Sequence, residues 1–186
     1  MTHALRFVLS NGLLQPGGYN ITDDKLFERE MLVEFRNLGL KNVSFNLIKN
    51  LVTHTSKLVI DSNSNNHNDL TDLLLLGVNR VVIDERVGNS ELGLAHALSD
   101  KILTKFVIDA SSEKKSSHFF DKIKRMDELT NLIPKPVLLV TMADGDLEKF
   151  WKVIPLKIKK EYEWWVAPSE GIEIKLNDKN RIKVWC

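Results

Sequence analysis

Four aspartates stand at or just beyond the ends of apolar runs. Asp61 follows Leu58-Val59-Ile60, Asp84 follows Val81-Val82-Ile83, Asp109 follows Phe106-Val107-Ile108, and Asp144 comes shortly after Val137-Leu138-Leu139-Val140. A carboxylate at the end of a buried strand can move a proton, help hold a hard cation, or cap a turn. A divalent ion needs several such oxygens converging. No histidine ends an apolar run, so zinc is not favoured, and no metal is expected. A turn cap needs only backbone amides one or two residues on. Asn63 and Arg86, two residues past Asp61 and Asp84, and Ser169, after the EYEWWVA run, are the polar groups placed to touch a ligand at those ends.

The elements that position these residues follow from the hydrophobic pattern. The stretch from Leu58 to Val87 is read as a βαβ unit: an apolar strand, a leucine-rich helix from about Asp69 to Leu76, a stop at Gly77, and a second apolar strand from Arg80 to Ile83. Strands apolar on both faces belong to a parallel sheet covered on both sides. Upstream, Leu5 to Leu9 is read as strand one, followed by a loop carrying Pro16, Gly17 and Gly18. Without a GxGxxG pattern running into a helix, the glycine pair is read as a turn, and no cofactor is expected. Thr22 can cap a helix from Asp23 to Leu38 with Phe27, Met31, Phe35 and Leu38 on one face, and VSFNLI (Val43 to Ile48) alternates like strand two. His54 then falls in a short loop.

Downstream, Ser90 can cap a helix carrying Leu92, Ala95 and Leu98, and Lys105 to Ile108 is strand five. Ser116 or Ser117 opens a helix with Phe119, Ile123, Met126 and Leu129, and Pro136 leads into strand six. Asp146 opens a helix through Trp151 and Ile154 that Pro155 stops, EYEWWVA is strand seven, and Ile182 to Trp185 is the last strand. Eight strands alternating with helices in one α/β domain, residues 1–186, predict a shortened (β/α)8 TIM-type barrel. Its outer helices are expected to be reduced after strands 2, 7 and 8. An open doubly wound sheet is the alternative.

Composition narrows the classes of partner. The chain has 186 residues, a net charge of +1, 43% hydrophobic and 27% charged residues. That balance offers no electrostatic footprint for nucleic acid or an anionic membrane. No apolar run approaches a bilayer span, and the N-terminus lacks a signal pattern, so a cytoplasmic location is the default expectation. The only cysteine, Cys186, leaves no intrachain disulfide and no cysteine metal cluster.

GVNRVVID with the following ERVGNSEL, the FVIDA strand and the VTMADGD segment resemble the (β/α)8 barrels of histidine biosynthesis. These are the phosphoribosylformimino-aminoimidazole carboxamide ribotide isomerase and the cyclase subunit of imidazole glycerol phosphate synthase. The resemblance is clearest from about Leu58 to Asp146. It implies an acid–base pair of aspartates ending strands one and five. Asp109 matches the second, whereas strand one ends Val8-Leu9-Ser10-Asn11 with no carboxylate. The strand-six motif is present, one residue short, as Thr141 to Gly145, so the resemblance implies catalytic roles for Asp109, Asp144 and Thr141. The family's glycine pairs for two phosphates are replaced by Asp61-Ser62-Asn63 and Asp84-Glu85-Arg86, and by Pro168-Ser169-Glu170. Like charges 4 Å apart cost about 4 kcal/mol even at an effective dielectric of about 20. A substrate with two phosphates is therefore not expected.

Three functional expectations follow. The first is a diverged barrel without the ancestral isomerase or cyclase activity. The second is an isomerase or lyase acting on a small sugar-derived metabolite through Asp109. The third is a non-catalytic binding or assembly protein. A neutral or cationic small molecule is the ligand expected at the C-terminal rim. Barrel wall left bare by reduced helices predicts a homodimer, with Trp164, Trp165 and Trp185 as contact residues.

Overall fold

The structure, a computed structural model, describes residues 2–10, 13–15, 30–35, 43–55, 57–108, 121, 124–125, 128, 137–142, 151–152, 154–168 and 182–185. It is a mixed α/β fold whose strands are mostly parallel. Its contacts divide the chain into two compact units. Ala4–Leu103 form one, and Met1–His3 with Thr104–Cys186 form the other. No helix among the described residues is long and apolar enough to cross a membrane.

In the first unit the strands run β2-β1-β3-β4-β5, and β6 enters beside β5. β1 (Thr2–Ser10) turns back on β2 (Leu13–Gln15) as an antiparallel hairpin, with Leu9 opposite Leu14. The two intervening residues are Asn11-Gly12, the strongest short hairpin signal a sequence carries. β3 (Glu30–Glu34), β4 (Lys57–Asp61) and β5 (Arg80–Asp84) are all parallel to β1 or to each other. Met31, Leu32 and Val33 are each completely buried, so β3 is covered on both faces.

This corrects two sequence expectations. Residues 30–34 belong to a strand rather than to a helix spanning Asp23 to Leu38. The i, i+4 spacing of Phe27, Met31 and Phe35 imitated a helix face, but the unbroken Met31-Leu32-Val33 run needs cover on both sides. VSFNLI is not a strand either: helix α1 spans Phe45–His54. The Ser44 hydroxyl caps it by accepting from the Leu47 N–H at 3.2 Å, and Ile48 and Leu51 are its buried residues. Alternation of Val43, Phe45 and Leu47 over so short a window could not be told from one side of a helix. His54 thus ends a helix rather than sitting in a loop, and its Nδ1 lies 2.8 Å from the Asn50 carbonyl. The outer helix after the second parallel strand is present, not reduced.

The central unit forms as its pattern dictates. Helix α2 (His67–Leu75) is capped by Asn66, whose side chain accepts from the Asn68 N–H. It ends at Gly77 with φ of 99°. There the Gly77 N–H reaches the Leu74 carbonyl and the Val78 N–H reaches that of Leu73, the paired bonds of a Schellman stop. A Cβ at Gly77 would stand 3.1 Å from Val52 Cγ1, so space as well as φ selects glycine. Asn79 then exchanges bonds with Leu58 through backbone and side chain, pinning the entry of β5 to that of β4. Helix α3 (Asn89–Leu98) starts from Gly88 without a side-chain cap, so Ser90 lies inside the helix instead of capping it.

β6 (Ile102–Ile108) carries the chain from the first unit into the second. There β7 (Val137–Met142), β8 (Glu163–Pro168) and β9 (Ile182–Trp185) are parallel neighbours, with Leu138 opposite Trp164 and Val166 opposite Val184. The helical residues Trp151 and Lys152 give way to a bend at Ile154 and a non-helical Pro155, the stop expected from the sequence. A further short helix, α4 (Leu156–Glu161), starts directly after it, as suits a residue with no N–H to leave unsatisfied. Trp164 and Trp165 are buried, Trp164 edge-on to Trp151 at 5.3 Å between ring centroids. Neither tryptophan therefore offers surface to a partner chain, and the sequence expectation of a contact through them is corrected. The Trp185 side chain, the predicted helix residues Ser116, Ser117, Phe119, Ile123, Met126 and Leu129, and the proposed helix start at Asp146 lie outside the described residues.

Candidate functional site

The C-terminal ends of β3, β4 and β5 carry Glu34, Asp61 and Asp84, and all three are buried, at 7%, 6% and 5% exposure. Register places them on one face of the sheet. Glu34 stands opposite Asp61, and the pairing of Val59 with Arg80 and Ile60 with Val81 continues to put Asp84 on that face one pleat further along. Alternation leaves Met31, Val33, Leu58, Ile60, Val81 and Ile83 on the opposite face, as strands buried on both sides require.

Each carboxylate is engaged by donors of the chain itself. Arg6, on the same face of β1, holds Glu34 through Nε to Oε1 at 2.6 Å. Asp61 Oδ1 accepts from the Asn63 N–H at 3.1 Å, closing an Asx turn in which Asn63 adopts φ of 55°. Asn tolerates that left-handed geometry better than most residues. Asp84 takes three bonds from Arg86, from the backbone N–H and Nε to Oδ1, both at 2.9 Å, and from a terminal guanidinium nitrogen to Oδ2 at 2.7 Å. The hydrogen bond to Asp84, and then its charge, push the Arg86 guanidinium further up from its ordinary value.

The segment after Asp61 is laced together in the same manner. The Ser62 hydroxyl accepts from the Ser64 N–H, Ser64 donates to Asp69 Oδ2 at 2.7 Å, and the Ser64 hydroxyl accepts from the Asn66 N–H. Glu91 of α3 then reaches the first residue of α2. Its Oε1 accepts from the His67 N–H at 2.7 Å and lies 2.7 Å from His67 Nδ1. These bonds, the backbone one foremost, hold the Glu91 carboxyl below its ordinary range.

The backbone N–H groups of Asn63, Ser64 and Arg86 are thus taken by side chains of their own turns, and do not converge on an external anion. Among the described residues no group of three or more His, Cys, Asp or Glu side chains is placed to hold a metal ion. Of the residues singled out from the sequence, Asp61 with Asn63 and Asp84 with Arg86 form two strand-end turns. Thr141 lies in β7 opposite Ala167. Asp109, Asp144 and Ser169 lie outside the described residues.

Sequence reasoning missed Glu34, because it was assigned to a helix. The signal was there: Met31-Leu32-Val33-Glu34 repeats the apolar-run-then-carboxylate pattern of Leu58 to Asp61 and Val81 to Asp84. A scan against protein-family models finds no matching family, and no curated relative matches the chain.

Proposed function

We propose that the chain is a diverged (β/α)8-type barrel, related to the isomerase and cyclase barrels of histidine biosynthesis, that has lost their phosphoribosyl chemistry. Supporting the ring reading are the parallel pairings of β1 with β3, β3 with β4, β4 with β5, β7 with β8 and β8 with β9, and a pairing of β1 with β9 in addition to its pairings with β2 and β3. The first residues of β1, Thr2 and His3, group with the unit that contains β9.

One observation carries the loss of activity. Asp61 and Asp84 occupy the turn amides of Asn63 and Arg86 with their own carboxylates, at the two strand ends where the resemblance requires glycines around a phosphate. A phosphate dianion would have to displace a buried carboxylate from its hydrogen bonds and then lie beside it. A ligand admitted at this rim is therefore neutral or cationic.

The test is to incubate the purified protein with the ribotide substrate of the isomerase and, separately, with that of the cyclase plus ammonia, following product by absorbance and chromatography. No turnover above the uncatalysed reaction is expected. Turnover on the order of 1 per second or faster, in the ordinary enzymatic range, would overturn the proposal.

A further inference from the structure

The residues that join β4 to α2, Ser62-Asn63-Ser64-Asn65-Asn66, carry no apolar side chain. Burial of apolar surface, the main force that fastens chain to a core, is therefore not available to this loop. Its bonds to Asp61 and Asp69, and those from one loop residue to the next, close turns within the segment itself. They do not tie it to another element. Glu91 supplies that tie from α3, one βα unit further along the chain. Its Oε1 accepts from the His67 N–H, directly after the loop, and lies 2.7 Å from His67 Nδ1. The His67 N–H is one of the first-turn donors that a helix leaves without an internal partner, so the carboxylate also meets the positive end of α2. The two side chains are 28% and 29% exposed, so water can take the place of either partner at modest cost.

We propose that Glu91 is the latch of a small lid, residues 62–66 with the first turn of α2, at the C-terminal end of β4. With the latch bonded, the loop is held and the Asn63 turn stays closed over Asp61 Oδ1. With it released, the loop and the first turn of α2 open together, and the Asp61 carboxylate exchanges the Asn63 N–H for water. Opening stops short of Leu70 and Leu73, which are completely buried and anchor the rest of the helix. The Asp84 turn stays shut, because its bonds from Arg86 do not pass through Glu91. The lid is a motion of the chain itself and holds whatever ligand this end of the sheet takes.

Native-state amide hydrogen exchange of the full chain, followed by NMR, tests it. The amides of Asn63, Ser64 and Asn66 are expected to share one opening event, with protection well below that of Ile60 and Val82 inside β4 and β5. In Glu91→Ala all three are expected to exchange about tenfold faster, the scale of one lost hydrogen bond to a charged group. Their own bonds go to Asp61, Ser62 and Ser64, so loss of a merely local contact at His67 would leave them unchanged. The Arg86 amide opens without breaking the latch and is expected to keep its rate. Unequal protection of the three amides in the unaltered chain, unchanged exchange in Glu91→Ala, or an equal acceleration at Arg86 would each overturn the proposal.

Discussion

Arg6 and Glu34 form the pair whose loss the fold should feel most among the strand-end carboxylates. Their side chains are 13% and 9% exposed, so removing one takes a close opposite charge away from a largely buried ion. Glu34→Leu is expected to lower stability by about 3 kcal/mol, the usual scale for removing one member of a buried pair. Adding Arg6→Met to it should restore most of that loss, and urea unfolding of both variants measures the difference. A double variant no more stable than Glu34→Leu alone would show that the pair is not what Glu34 contributes. Asp84 differs, because its partner Arg86 is 70% exposed and remains hydrated on its outer side. At this scale the sequence was partly legible. Asp61 and Asp84 stood out as carboxylates behind apolar runs, and their turns are where they were expected. Glu34 was not legible as a strand end, because residues four apart also matched a helix face and only packing on both sides of β3 distinguishes the two.

Helix α3 concentrates the titrations that couple an element to its neighbours. Burial pushes the His96 imidazole down to about 4 from its ordinary 6.5. With the folded value below the unfolded one, the unfolded chain binds the extra proton between these limits, so stability rises with pH from about 4 to 6.5. Glu91 has the same sign. Its bonds to His67 add stability above the carboxyl's unfolded value, and that stability is lost as pH falls through the lowered folded one. His96→Gln is expected to flatten the dependence across the upper part of that window and leave the acid limb, where Glu91 acts, in place. Urea midpoints between pH 4 and 7 measure this, and an unchanged slope would place the titration on another group. The bounds of β9 and the end of α3 at Leu98 were readable from pattern alone, whereas α3 starts ahead of Ser90, the cap the pattern suggested. Helix α1 was not, since five residues of alternation fit a strand and a helix equally well until the Ser44 cap and the buried Ile48 and Leu51 are in place.

For the whole molecule, linkage distinguishes a retained anion site from a lost one. Anything that binds the folded state alone raises the melting temperature, by an amount that grows with the logarithm of its concentration above the dissociation constant. Inorganic phosphate is expected to leave the midpoint where an equal ionic strength of chloride leaves it, because the turn amides at Asn63 and Arg86 are already bonded. A phosphate-specific rise that Asp84→Asn enlarges would mean that the carboxylate competes with a working site, and the proposed loss of phosphate chemistry would fall. Trp164 and Trp165 drew attention in the sequence as large apolar groups, but both are buried, and exposed leucine lies on α2 and α3 instead.

Local chemistry was enough to determine the βαβ unit from Leu58 to Val87, its glycine stop, the last strand, and the carboxylates behind β4 and β5. Each is settled within a few residues by hydrophobic period, backbone conformation and the reach of a short side chain. Which face a residue presents, whether a five-residue run is strand or helix, and which donor satisfies a buried carboxylate depend on groups tens of residues away. Arg6 reaching Glu34 and Glu91 reaching His67 are such cases. Their energies come from removal of water around both partners at once, and no window of sequence contains that information.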